Sequence, residues 1–202
     1  MPPHKFHVGV DLDNTIVCYD FLFHKIAVER NLIDPDFASS KTLIRNHLRA
    51  TGRESEWTAM QGVVYGTRMQ EALPFPGVND FFVSCQMAGI PTAIISHRTL
   101  NPISGPACNL HTAARQWLDE KGFSALVPNG HIYLEETRAR KIERLAELNC
   151  THFIDDLPEF LTEPAFPKDT VRIHFDPERL GAAGVSLIQG VSWQTITRLI
   201  LP

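Results

Sequence analysis

Asp11 and Asp13 stand two residues apart, directly after the short apolar run 6–10. In an extended chain residues i and i+2 point to the same side, so both carboxylates can face one way. Two carboxylates that close repel unless a cation neutralises one or a proton stays on the other. A second acidic pair, Asp155-Asp156, follows another apolar run at 152–154. A third run, 91–95, ends on Ser96 and is followed by His97 and Arg98. Hard oxygen ligands that keep bound water suit Mg²⁺. Asp11, Asp13 and Asp155 at the ends of buried strands therefore make a magnesium site the first expectation, from residue types and spacing alone.

The intervening sequence supplies elements that could position these groups. The runs 6–10, 91–95, 152–154 and 171–175 are short and apolar, without a helical stripe, and read as buried strands. A fifth short strand fits 131–134. Helices are expected over 78–88 with a stop at Gly89, near 112–121, over 137–148, and after Ser192, a helix cap ahead of Trp193, Ile196 and Ile200. Strands alternating with helices predict a parallel α/β sheet. Ligands of open parallel sheets bind beyond the carboxyl ends of the strands, where Asp11, Ser96 and Asp155 fall.

From 18 to 73 the texture changes. Helical stripes run through Leu22, Ile26 and Ile33, through Ile44 and Leu48, and through Trp57, Met60, Val64 and Met69. No strand is read there, and the segment is expected to be an all-helical insertion. Pro74-Phe75-Pro76-Gly77 is a stiff turn that ends it. The expected domains are thus 1–17 with 74–202, and 18–73. The stretch 97–110, rich in Asn, Pro, Ser and Gly, reads as a long ordered loop, a place where function often lies.

Composition narrows the function. The 202 residues carry 19 basic and 23 acidic side chains, a formal charge of −4, against a polymer-binding protein that works through bulk positive charge. At 44% hydrophobic and 21% charged residues, the composition is that of an ordinary globular chain with a full core. The four cysteines form no CxxC pair, which argues against a zinc knuckle and for reduced thiols in a cytoplasmic protein. The sequence MPPHKFHVGVDLDNTIV has no apolar signal core, and no run approaches the ~20 apolar residues of a spanning helix, so neither export nor a membrane is expected.

The motifs also carry a resemblance. VGVDLDNTIV is similar to the first motif of the haloacid dehalogenase (HAD) superfamily, an apolar strand followed by DxDxT. AIIS ending at Ser96 resembles the second motif, Lys141 the third, and FIDD at 153–156 the fourth. PFPGV at 74–78 is like the return from a helical cap inserted after the first motif. The match covers most of the chain, in order. It implies a Rossmann-like, HAD-type α/β core with parallel strands flanked by helices, and a small all-helical cap.

The resemblance implies roles for these residues. Asp11 would attack phosphorus and carry an aspartyl-phosphate. Asp13 would protonate the leaving oxygen and then activate water. Ser96 would donate to the phosphoryl oxygens, and Lys141 would offset charge. Mg²⁺ would be held by the Asp11 side chain, the Asp13 backbone carbonyl and Asp155, with Asp156 as a further ligand or a support. An intact DxD favours phosphate esters over halides, because a halide leaves without a proton. His97 and Arg98 could grip a second anionic group of the substrate; Arg98 could equally pair with a structural carboxylate. The implied activity is magnesium-dependent hydrolysis of a small phosphate monoester, a sugar phosphate or nucleoside monophosphate. The alternatives are a phosphomutase or phosphotransferase using the same intermediate, and a non-catalytic phospho-ligand binding regulatory protein.

Overall fold

The computed structural model describes residues 6–127, 130–179 and 187–201; residues 1–5 of the N-terminal stretch quoted above lie outside the described residues. Along the chain run β1 (Val8–Val10), β2 (Val17–Cys18), α1 (Asp20–Glu29), α2 (Lys41–Ala50), α3 (Glu54–Gly62), a π-turn (Val63–Thr67), a 3₁₀ turn (Met69–Glu71), β3 (Leu73–Pro74), α4 (Val78–Met87) and β4 (Thr92–His97). There follow α5 (Leu110–Glu120), α6 (Phe123–Leu126), β5 (Ile132–Glu135), α7 (Arg138–Glu147), β6 (His152–Asp155), α8 (Pro158–Leu161), β7 (Val171–Phe175), β8 (Ile188–Gly190) and α9 (Trp193–Ile200).

Two compact units divide the chain. The first comprises the described residues of Met1–Val17, Pro74–Arg98 and Lys121–Pro202. Its six-stranded sheet has the order β5-β4-β1-β6-β7-β8, parallel throughout. β1 is buried along its whole length and lies between β4 and β6, so both of its edges are paired. The chain order reverses there: β4 and β5 are added on one side of β1, and β6, β7 and β8 on the other. That is the switch point at which α/β sheets bind ligands.

Helices cover this sheet because their apolar stripes need a partner. On one face, Ile142 and Leu145 of α7 and Phe160 and Leu161 of α8 pack with Ala93, Ile95 and Phe153. α4 and α9 meet through Phe81 and Trp193, whose rings are 5.0 Å apart. Each fully buried Phe of this kind contributes roughly 1.5–3 kcal/mol by leaving water. Thr137 caps α7 by accepting from the Arg140 amide at 3.2 Å, which fixes where Lys141 starts its second turn.

The second unit is Cys18–Leu73 together with Thr99–Glu120. It is helical, built on α1, α2, α3 and α5. Phe23 stacks on Trp57 at 4.6 Å and Tyr19 meets Tyr65 edge-on at 4.9 Å, an aromatic core inside the unit. Two details differ from the sequence reading. The expectation of no strand meets two-residue strands at each end of the 18–73 segment, β2 and β3, which pair with each other and are too short to show a period. Residues 99–120, read as part of the 74–202 domain, cluster with the helical unit.

The physical reason for that clustering is a pair of glycines. A Cβ on Gly62 would overlap the Ser104 carbonyl oxygen and sit 3.1 Å from Pro102; one on Gly66 would overlap the Cys108 sulfur. The 99–109 segment lies directly on these two backbones. Replacing Gly62 by Ala is therefore expected to destabilise the protein by about 1–3 kcal/mol, the usual cost of forcing atoms into a packed site. Urea unfolding measures it, and a Gly62→Ala protein as stable as wild type would contradict this close approach.

Candidate active site

Strand register assembles the site. Val10 pairs with Ile94 of β4 and with Ile154 of β6. One step further along, Asp11 therefore emerges beside Asp155, and the Asp11 amide donates to the Ile154 carbonyl at 2.9 Å. Ser96 lies two residues beyond Ile94 on the neighbouring strand. After Asp11 the chain turns tightly: Ile16 and Val17 both donate back to the Leu12 carbonyl, and Asn14 adopts φ 60°, a left-handed conformation that Asn tolerates. The turn presents Asp13 without starting a helix.

Lys141 sits at the centre of the charge network. Its Nζ donates to Asp11 Oδ1 and to Asp155 Oδ2, each at 2.6 Å, and the Lys141 and Asp155 side chains are 3% and 0% exposed. The Phe160 ring centroid lies 4.2 Å from the ammonium, a favourable cation–π distance. The other oxygen of Asp155 accepts from the Leu157 amide at 2.8 Å, which fixes the carboxylate plane. His174 lies between the Asp156 carbonyl and the Gln189 side chain, 3.1 Å from each, and supports the turn after β6.

Electrostatics reflect an excess of negative charge. Burial pushes the Asp11 carboxyl above the usual carboxylate range; Lys141 pulls it back, and the charges of Asp155 and Asp13 push it up again. For Lys141, burial opposes the charged form, yet Asp11 and Asp155 together outweigh it and hold the ammonium above its ordinary value. Both shifts are upward, which disfavours the charge on Asp11 and favours it on Lys141, and the Lys141 shift is the decisive one: two carboxylates at 2.6 Å keep the lysine charged. The rise at Asp11 comes first from burial and then from the charges of Asp155 and Asp13.

Carboxylate oxygens of Asp11, Asp155 and Asp156 all lie within 4.8 Å of one another. An all-oxygen donor set carrying surplus negative charge fits a hard divalent cation. These three residues can hold a metal ion.

Arg98 is 4% exposed, and its Nη1 donates to Asp13 Oδ1 at 2.6 Å and Oδ2 at 2.9 Å. Ser96 and Arg98 leave β4 on the same face by the two-residue alternation, whereas His97 falls between them and is solvent-exposed, with its ring hydrogen-bonded to the Glu136 backbone. Ser96 is 1% exposed, and its Oγ has no hydrogen-bond partner among the described residues. An unsatisfied buried hydroxyl costs about 1–3 kcal/mol, and such groups call for a ligand or another explanation. Lys141 thus joins Asp11 and Asp155 by direct contacts, Asp156 lies close to both carboxylates, and Arg98 holds Asp13, with Ser96 on the adjacent strand end. The sequence reading left Arg98 open between a substrate anion and a structural carboxylate without naming Asp13 as its partner, and it did not find the Leu157 amide, His174 or the Phe160 ring. Pro158 followed by Glu159 was the available signal for α8, since Pro favours the first helical position.

No protein-family model matches the sequence, and no curated protein sequence matches it. Solved structures do. A dehalogenase superposes over 100% of both chains with a TM-score of 0.62 and 11% identity. A "predicted phosphatase" from Clostridium acetobutylicum covers 97% of this chain and 98% of its own, with a TM-score of 0.60 and 15% identity. The fold is that of the HAD superfamily. The HAD-hydrolase YfnB from Bacillus subtilis, solved bound to magnesium, has the same fold, with 98% of this chain and 99% of its own covered, a TM-score of 0.55 and 10% identity. At such identities what is shared is the architecture. In this HAD-type sheet Asp11 stands at the carboxyl end of the central strand, at the switch point. Among the described residues no helix is long and apolar enough to cross a membrane.

Proposed function

We propose that this protein is a magnesium-dependent phosphohydrolase acting on a small phosphate monoester, with Asp11 as the nucleophile. The observation that carries the reading is the buried Asp11 carboxylate, held by Lys141 beside Asp155, with the Ser96 hydroxyl, unpartnered among the described residues, on the adjacent strand end. An oxygen of Asp11 attacks phosphorus while the bond from phosphorus to the ester oxygen breaks; Asp13 gives the departing oxygen its proton. In the second half Asp13 takes a proton from water, the hydroxide oxygen bonds to phosphorus, and the bond to Asp11 breaks, releasing inorganic phosphate. Ser96 donates to the phosphoryl oxygens, and Lys141 fixes the attacking carboxylate and offsets charge. Asp11, Asp155 and Asp156 would hold Mg²⁺, which when bound supplies positive charge at the phosphoryl oxygens. The helical unit serves as a cap that selects the leaving group, the role its insertion after the first motif suggests.

Asp13 favours ester hydrolysis over dehalogenation, because only the ester needs an acid for its leaving group. Cytoplasmic metabolites, a sugar phosphate or a nucleoside monophosphate, are the proposed substrates. The test is phosphate release from a broad panel of metabolite esters with Mg²⁺ and with EDTA. Metal-dependent release from at least one ester is expected; isomerised phosphosugar instead of phosphate would point to a mutase, and no turnover of any ester would leave a phospho-ligand binding protein.

A further inference from the structure

Arg98 is held at both ends. Its backbone amide donates to the Glu135 carbonyl at 2.8 Å, extending the pairing of β4 with β5. Its guanidinium nitrogen contacts both oxygens of Asp13. The Arg98 side chain is 3% exposed, against 22% for Asp13. A carboxylate on a tight turn, with part of its surface in water, has several rotamers open to it. A buried guanidinium anchored in a strand removes most of them.

We propose that Arg98 is the positioning residue for Asp13, aiming the acid–base carboxylate at the leaving oxygen rather than gripping the substrate. This rests on the phosphohydrolase reading above. The Arg98 Nη1 is committed to Asp13, and the side chain is buried around that contact. Orientation matters because a positioned acid–base group contributes about 10²–10⁴-fold and loses most of that when misdirected.

The experiment compares two esters that carry no second anion: β-glycerophosphate, whose alkoxide needs a proton to leave, and p-nitrophenyl phosphate, whose phenolate does not. The measured quantity is kcat/KM in Mg²⁺, which covers only the steps through leaving-group departure. Arg98→Ala is expected to lose about 100-fold on β-glycerophosphate and less than about 10-fold on p-nitrophenyl phosphate. Arg98→Lys, which keeps the charge, should recover most of the difference. Equal losses on both esters, or no loss on either, would overturn the proposal; the second is what a residue reserved for a second anionic group would give. A readout without turnover separates this from failure of the phosphohydrolase reading. Tm shifts of Arg98→Ala, Asp13→Ala and the double variant should be non-additive. Additive shifts would refute the pairing, whatever the enzyme turns over.

Discussion

Asp11→Asn is expected to lower kcat for any phosphate ester by roughly 10⁴-fold or more, while leaving the folded protein at least as stable as wild type in EDTA at pH 8. The substitution keeps the shape and removes the nucleophilic oxygen. It also removes one negative charge from a buried site where carboxylates outnumber cations. Burial and the neighbouring carboxylates raise the Asp11 pKa above its unfolded value. A carboxyl of that kind contributes stability that is complete below its unfolded pKa and is lost as pH rises through its folded pKa. The stability advantage of Asp11→Asn should therefore be greatest at alkaline pH and shrink as the pH falls toward 5. Phosphate release and thermal unfolding between pH 5 and 8 check both halves. A folded Asp11→Asn protein that retained turnover would remove Asp11 from the mechanism. An inactive variant that had also lost its fold would show that Asp11 serves the structure.

What the sequence reveals about this site is whatever is local to one strand or helix. Asp11, Ser96 and Asp155 are legible because each ends a short apolar run, and a buried strand that stops on a polar group has few structural uses. Lys141 is legible because helix 137–148 leads into the strand that ends at Asp155. The Arg98–Asp13 pair is not legible in the same way. The two-residue alternation places Arg98 on the face of Ser96, but the partner depends on β4 lying next to β1. That adjacency is set by the sheet order β5-β4-β1-β6-β7-β8, which joins strands far apart in the chain.

The attachment of residues 99–120 to the helical unit escapes for a related reason. Nothing local in the sequence singles out Gly62 and Gly66, and only the segment lying on them reveals why a side chain is excluded. α8 is a single turn, too short for periodicity, yet it brings Phe160 to the Lys141 ammonium. These misses share one cause: they are contacts between segments whose partners no local pattern encodes.

Lys141→Met should be the most damaging substitution to the fold and should also lower kcat, by about 10²–10³-fold, as for loss of a group that stabilises charge in the transition state. Met fills much of the same volume, so packing against Phe160 and Phe153 is largely kept and the lost charge dominates. Without the ammonium, Asp11 and Asp155 are two buried carboxylates facing each other. Breaking a buried ion pair on one side costs about 3–5 kcal/mol. The protein can limit the cost by protonating a carboxyl, and holding an ordinary aspartate neutral at pH 7 costs about 4 kcal/mol. The two routes agree, so a loss of about 4 kcal/mol at pH 7 in EDTA is expected in urea unfolding. Its pH dependence identifies the cause. Carboxyls whose folded pKa is raised contribute most below their unfolded pKa, so the deficit relative to wild type should shrink as the pH falls from 7 toward 5. Added Mg²⁺ should raise the Tm of Lys141→Met more than that of wild type, because a divalent cation bound by the same carboxylates replaces the missing charge. A deficit below about 1 kcal/mol, or one that grows on acidification, would mean that Asp11 and Asp155 do not depend on Lys141 for their charge balance.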